Sequence, residues 1–130
     1  MSQERPRRCH ELTLRISPEP KDINYNGHIF GGWILSQMDV AGGIVSYRRA
    51  GGPVATVAVE GMTFHQPILL GDVLSVYTEI ERVGRTSITV DIEIWVERRG
   101  VAEEVFVTEG RFVYVAIDEN ARPRPVDLET

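Results

Sequence analysis

From Glu11 to Ile16 apolar and polar residues alternate, with Leu12, Leu14 and Ile16 on one side and Thr13 and Arg15 on the other. A period of two predicts a short strand. Ser17 to Gly32 abandons that pattern for Pro, Asn, Asp and Gly, the chemistry of a long shaped loop. Loops of that length inside a small domain tend to be functional. From Gly32 to about Ala50 the period changes. At 100° per residue, Trp33, Ile34, Leu35, Met38, Val40, Ala41, Ile44, Val45 and Tyr47 cover most of the circumference. This predicts a helix buried on nearly all sides. Ser36, Asp39, Gly43 and Ser46, with Gly42 at the edge, form its one stripe of small and polar residues. Gly51-Gly52-Pro53 is an ordinary stop signal.

Four strands are expected next: Val54 to Phe64, Asp72 to Val83, a third running through Ile88 to Glu97, and Glu103 to Ile117. In the third, Ile88, Val90, Ile92, Ile94 and Val96 oppose Thr89, Asp91, Glu93, Trp95 and Glu97. Short connections make these strands expected antiparallel neighbours. The class is therefore α+β, with one apolar helix wrapped by a curved sheet of about five strands. Residues 1–10 read as a polar leader, 11–117 as the domain, and 118–130 as a C-terminal extension.

With 130 residues the chain suits one domain, 42% hydrophobic and 25% charged as in soluble globular proteins. Its net charge of −5 lacks the basic footprint of a nucleic-acid-binding protein. Arg5, Arg7 and Arg8 read as a solvated tail. There is no apolar run near the ~20 residues of a membrane span, and no signal-peptide core. The lone Cys9 fits a reducing compartment, so the cytoplasm is expected. The three histidines and one cysteine show no metal-ligand spacing, and no metal is expected.

Asp39 is the candidate for chemistry. A carboxylate on a buried helix is costly unless it is paired or open to a wet site. The small residues beside it leave room for a ligand or for another backbone. A structural aspartate bonding a neighbouring strand reads equally well from helix geometry alone. The preceding loop, Asn24-Tyr25-Asn26-Gly27-His28-Ile29-Phe30-Gly31-Gly32, delivers amides, an imidazole and glycines to the helix start. Unpaired N–H groups there could hold a developing oxyanion. Asp39 lies seven residues on, or ~10 Å of axial rise, so a second subunit could be needed to complete one site.

The stretches NxNGxIFGGW-x-x-SQMD-x-AGG and TVAVEGMTFxxP resemble the YciA-type acyl-CoA thioesterases, over about Ile16 to Pro125. The resemblance implies the hot-dog fold and hydrolysis of acyl-CoA to free CoA and a carboxylic acid. It implies no cofactor, coenzyme A being part of substrate and product. It makes Asp39 the general base or nucleophile, Asn24 the residue positioning water or thioester from the opposite subunit, and the Gly32 N–H the oxyanion donor. Gly27, His28 and Gly31 fall on the substrate loop. Gly84, Arg85, Thr86 and Ser87 match a CoA-contacting turn, and Arg124, in Arg122-Pro123-Arg124, matches a basic segment near the nucleotide. Dimers assembled into hexamers, with sites between subunits, are implied. His28 is a departure, standing where the subfamily commonly has Asp or Asn.

Two other functions compete. A hot-dog hydratase acting on enoyl or 3-hydroxyacyl thioesters would use a loop Asp and His before the helix; Asp22 to His28 is similar, but the interval is one residue longer than expected and the usual intervening Pro is absent. A non-catalytic acyl-CoA-binding module would keep the pocket and lose the carboxylate. His65 and His10 read as structural residues.

Overall fold

A computed structural model describes residues 10–127. The expectations for Arg5, Arg7, Arg8 and Cys9 fall outside the described residues. Strand β1 (Glu11–Ile16) leads through a 3-10 turn (Pro20–Asp22) to helix α1 (Gly31–Ala50). Strands β2 (Val54–Phe64), β3 (Val73–Val83), β4 (Ser87–Glu97) and β5 (Val105–Ala116) follow. They form one antiparallel sheet in the order β1-β3-β4-β5-β2. One helix lies against this sheet, the hot-dog arrangement.

The core lies between them. Met38 and Ala41 of α1 and Ile88, Val90, Ile92, Ile94 and Val96 of β4 are sealed from solvent. Each of the larger side chains among them contributes about 1.5–3 kcal/mol by leaving water. The period of two in β4 thus points one row at the helix, as its sequence requires. Gly51, in the left-handed region at φ 70°, ends α1, and its N–H returns to the Tyr47 carbonyl.

Two expectations need correction. The helix is not buried on nearly all sides: Ile34, Met38, Ala41, Gly42, Ser46 and Ala50 make one buried stripe, while Leu35, Val40 and Tyr47 stand exposed. A single sheet covers only one side of a helix, so the rest of its apolar surface needs another partner. Nor is β2 a neighbour of β3. The crossover at residues 65–72 carries the chain across the sheet, leaving β2 an edge strand that, among the described residues, is bonded to β5 alone. The other row of β4 is partly buried as well. Glu93 and Trp95 are buried there, Trp95 Nε1 donating to Glu93 Oε1 at 3.0 Å and its ring lying 5.0 Å from Phe106.

Beyond β5, residues 118–127 fold back along the molecule. The Arg124 N–H bonds the Ala116 carbonyl, the Val126 N–H bonds the Arg85 carbonyl, and Val126 is buried. Among the described residues, no helix is long and apolar enough to cross a membrane.

Candidate active site

Asp39 sits on the side of α1 that faces the β2 edge. Its Oδ1 accepts from Thr56 Oγ1 at 2.7 Å and from the Tyr114 hydroxyl at 3.1 Å. Thr56 and Tyr114 are register partners across β2 and β5, so one rung of the sheet delivers both hydroxyls. The pairing shifts register just beyond, between Thr56 and Ala58; such bulges re-aim side chains at an edge. Tyr114 is buried, and burial first, then the Asp39 charge, pushes its phenol far above its usual ionisation range. It therefore stays a neutral donor.

The small-residue stripe has a different occupant from the one its sequence suggests. A Cβ on Gly42 would overlap the Tyr114 hydroxyl and lie 2.7 Å from Cζ. Gly42 makes way for a tyrosine from the sheet, whereas nothing lies within 4 Å of a Cβ built on Gly43. Thr56 and Tyr114 are the site residues that sequence reasoning missed. The available signal was slight: a polar-tipped aromatic in the core row of β5, opposite a helix carrying a glycine.

Beside Asp39 is a cavity of about 330 Å³ lined by Gly32, Leu35, Ser36, Asp39, Thr56, Val59 and Phe112. Gly32, Leu35, Ser36 and Asp39 are successive positions on one helix face. Gly32 and Asp39 of one chain therefore open onto one cavity, although the helical rise keeps them ~10 Å apart. The helix N-cap is Phe30, which offers no side-chain cap, so neither Gly31 nor Gly32 has its N–H covered by a capping group.

Asn24, His28 and Gly31 line a second cavity, of about 370 Å³, with Phe64 and His65. Asn24 Oδ1 accepts from the Asn26 N–H at 2.9 Å and the His28 N–H at 3.1 Å, a local turn that fixes its amide. Gly27, at φ 79°, closes that turn. One protomer thus places Asn24 and Asp39 in different cavities. His65 Nε2 pairs with Glu109 Oε2 at 3.1 Å, and its ring lies 4.8 Å from Phe106. Asp22, required by the hydratase reading, is buried and spent locally: its Oδ2 accepts from the Glu19 N–H at 2.8 Å.

Gly84 to Ser87 form the tight β3–β4 turn, the Gly84 N–H bonding the Ser87 carbonyl at 2.8 Å. Arg85 is exposed there, and Thr86 accepts from the Ala116 N–H. Arg124 is otherwise engaged. Its guanidinium donates to the carbonyls of Ala50, Ile117 and Pro125 at 2.9, 3.2 and 3.0 Å, tying the tail to the C-terminal end of α1. That favours the negative end of the helix dipole and spends three of the five guanidinium donors on backbone.

The fold also gathers His10, Asp91 and Glu93, whose potential ligand atoms all lie within 4.8 Å of one another. His10 Nε2 is 3.3 Å from Asp91 Oδ2 across 81 residues of sequence, which is why local spacing shows nothing of it.

Comparison with known proteins shows the family and the fold. A family model described as the thioesterase superfamily matches residues 26–103. The acyl-CoA thioester hydrolase YciA of Salmonella typhimurium is 44% identical over 122 residues, covering 92% of either chain. Among solved structures, HI0827, a hexameric broad-specificity acyl-coenzyme A thioesterase seen as an aspartate-to-alanine mutant, aligns with TM-score 0.88 and 44% identity over 92% of this chain and 88% of that one. The hexameric thioesterase y2039 from Yersinia pestis aligns at TM-score 0.85 and 44% identity, over 92% of this chain and 97% of that one. Fold, sequence and family model agree, and the chain belongs to the thioesterase superfamily, among its YciA-type acyl-CoA thioester hydrolases.

Proposed function

We propose that this chain hydrolyses acyl-CoA thioesters, with Asp39 activating the attack on the carbonyl. The observation that carries the reading is Asp39 itself, a carboxylate on the core helix, held by two hydroxyls and opening onto a cavity shared with an uncapped helix start. The thioester carbonyl oxygen rests on the Gly32 N–H, where the helix dipole favours developing negative charge. Asp39 takes a proton from water as its oxygen bonds to the carbonyl carbon. The tetrahedral intermediate then breaks its carbon–sulfur bond, and the departing thiolate of CoA takes up that proton. A positioned base of this kind is worth ~10² to 10⁴ in rate.

Asn24 orients the water or the thioester from the opposite subunit, which accounts for its separation from Asp39 within one protomer. The exposed Leu35, Val40 and Tyr47 of α1, with Val57 and Val59 on the edge strand β2, supply the surface on which a second copy docks. Related structures are hexameric, and a trimer of such dimers is the proposed assembly. Arg85 on the β3–β4 turn, with Gly84, Thr86 and Ser87, faces the CoA moiety, while Gly27, His28 and Gly31 border the acyl thioester. A lone cysteine suits the reducing cytoplasm, where we place the enzyme.

The test is release of free thiol from acyl-CoAs of increasing chain length, with the parent and Asp39→Asn side by side. Turnover by the parent and its loss in a folded Asp39→Asn are expected. Undiminished turnover by the variant would remove Asp39 from the chemistry.

A further inference from the structure

We infer that Tyr114 is a positioning residue that selects Oδ2 of Asp39 as the reacting oxygen, reaching the carboxylate through a gap kept open by Gly42. The inference rests on the catalytic reading of Asp39 and adds which of its oxygens reacts and what decides it.

The two oxygens of a carboxylate are equivalent in water, and its terminal torsion is broad and two-fold. Here they are not equivalent. Both donors to the side chain, Thr56 at 2.7 Å and Tyr114 at 3.1 Å, fall on Oδ1, and among the described residues none falls on Oδ2. Donors on Oδ1 draw charge to it and halt rotation about the torsion. Oδ2 keeps its lone pairs for a water proton.

The two hydroxyls differ in how firmly they hold. Thr56 is exposed and its hydroxyl rotates to suit its surroundings. Tyr114 is buried, its ring 6.4 Å from Phe112, so packing fixes where the phenol oxygen lies. That oxygen is also 3.2 Å from the Asp39 carbonyl oxygen, so its single proton is shared between the backbone and the side chain of one residue. The phenol is thereby registered against the helix at the position of Asp39. Gly42, one turn on, has no Cβ, and a Cβ there would overlap the phenol. A helix-interior glycine costs about 1 kcal/mol relative to alanine; access of Tyr114 to Asp39 is the physical reason for one here.

The experiment is steady-state thioester hydrolysis by Tyr114→Phe, Asp39→Asn and the double variant, with thermal melting to show that each is folded. Tyr114→Phe keeps the ring and removes only the oxygen. Its kcat is expected to fall about ten- to a hundred-fold with KM unchanged, the scale of one hydrogen bond to a charged group. On the Asp39→Asn background it is expected to add nothing. Gly42→Ala, which moves the phenol without deleting a hydrogen-bonding group, is expected to lose kcat to the same degree. An unchanged kcat in folded Tyr114→Phe, beside an inactive Asp39→Asn, overturns this proposal and leaves the catalytic reading standing. The same fractional loss on both backgrounds also overturns it, since Tyr114 would then act independently of Asp39. An active Asp39→Asn overturns the catalytic reading itself.

Discussion

Arg98 grips Asp72 with two prongs, Nε to Oδ1 at 3.1 Å and Nη2 to Oδ2 at 2.9 Å, joining the end of β4 to the start of β3. The same Nη2 reaches the Pro67 carbonyl at 2.8 Å, and Asp72 Oδ2 accepts from the Leu69 N–H at 2.9 Å. The pair thereby anchors the crossover that leaves β2 at the far edge of the sheet. Asp72 is buried, so removing Arg98 strands a carboxylate without its cation. Arg98→Ala is expected to lower unfolding free energy by about 2–4 kcal/mol, short of the full penalty because the guanidinium edge meets water. Urea denaturation measures it. Arg98→Lys, which loses the fork, should recover only part.

The Tyr114 phenol gives a signature at alkaline pH. In an unfolded chain a tyrosine ionises near pH 10. In the fold, burial and the Asp39 charge raise its pKa well above that. Stability linked to the neutral phenol is therefore complete below about pH 10 and is lost as pH rises past it, because only the unfolded chain then releases the proton. Phenolate absorbance assigned to Tyr114, by difference from Tyr114→Phe, is expected to appear only together with unfolding. Its appearance in the folded protein near pH 10 would contradict the geometry.

The edge strand tests the assembly. Val57 is 56% exposed and Val59 41% on β2, and a charge on such an edge blocks pairing. Val57→Lys is expected to yield smaller particles by light scattering and to lose thioesterase activity with the assembly. A complementary test refolds inactive Asp39→Asn and Asn24→Ala together. If the two residues serve one site from opposite subunits, roughly a quarter of parental activity returns, since half the dimers are mixed and each holds one intact site. No recovery would place both residues in the same subunit's site.

Arg124 separates stability from binding. With its donors on the carbonyls of Ala50, Ile117 and Pro125, Arg124→Ala is expected to lower stability by about 1–3 kcal/mol. The KM for acyl-CoA should hardly move. Arg85→Ala is expected to raise KM for CoA esters. Thermal melts and steady-state kinetics on the two variants decide between these roles.

Much of this molecule was written in local pattern. The period of two in β4 and the 3.6 period of α1 set element type and boundaries to within a residue or two, because each depends on neighbours a few positions apart. Asp39, and the glycine-rich approach to its helix, were likewise visible, since a carboxylate among apolar residues contradicts its surroundings. Tertiary structure alone decided what lies far apart in sequence. It placed β2 on the outer edge, because the ladder with β5 that holds it there joins residues far apart in sequence. It gave Gly42 to Tyr114 and not to a ligand, a contact spanning some seventy residues that no periodicity encodes. It turned Arg124 inward to the end of the helix, and it left one side of an apolar helix uncovered. A sequence shows how much apolar surface must be buried, and only the packed chain shows how much of that surface it cannot bury alone.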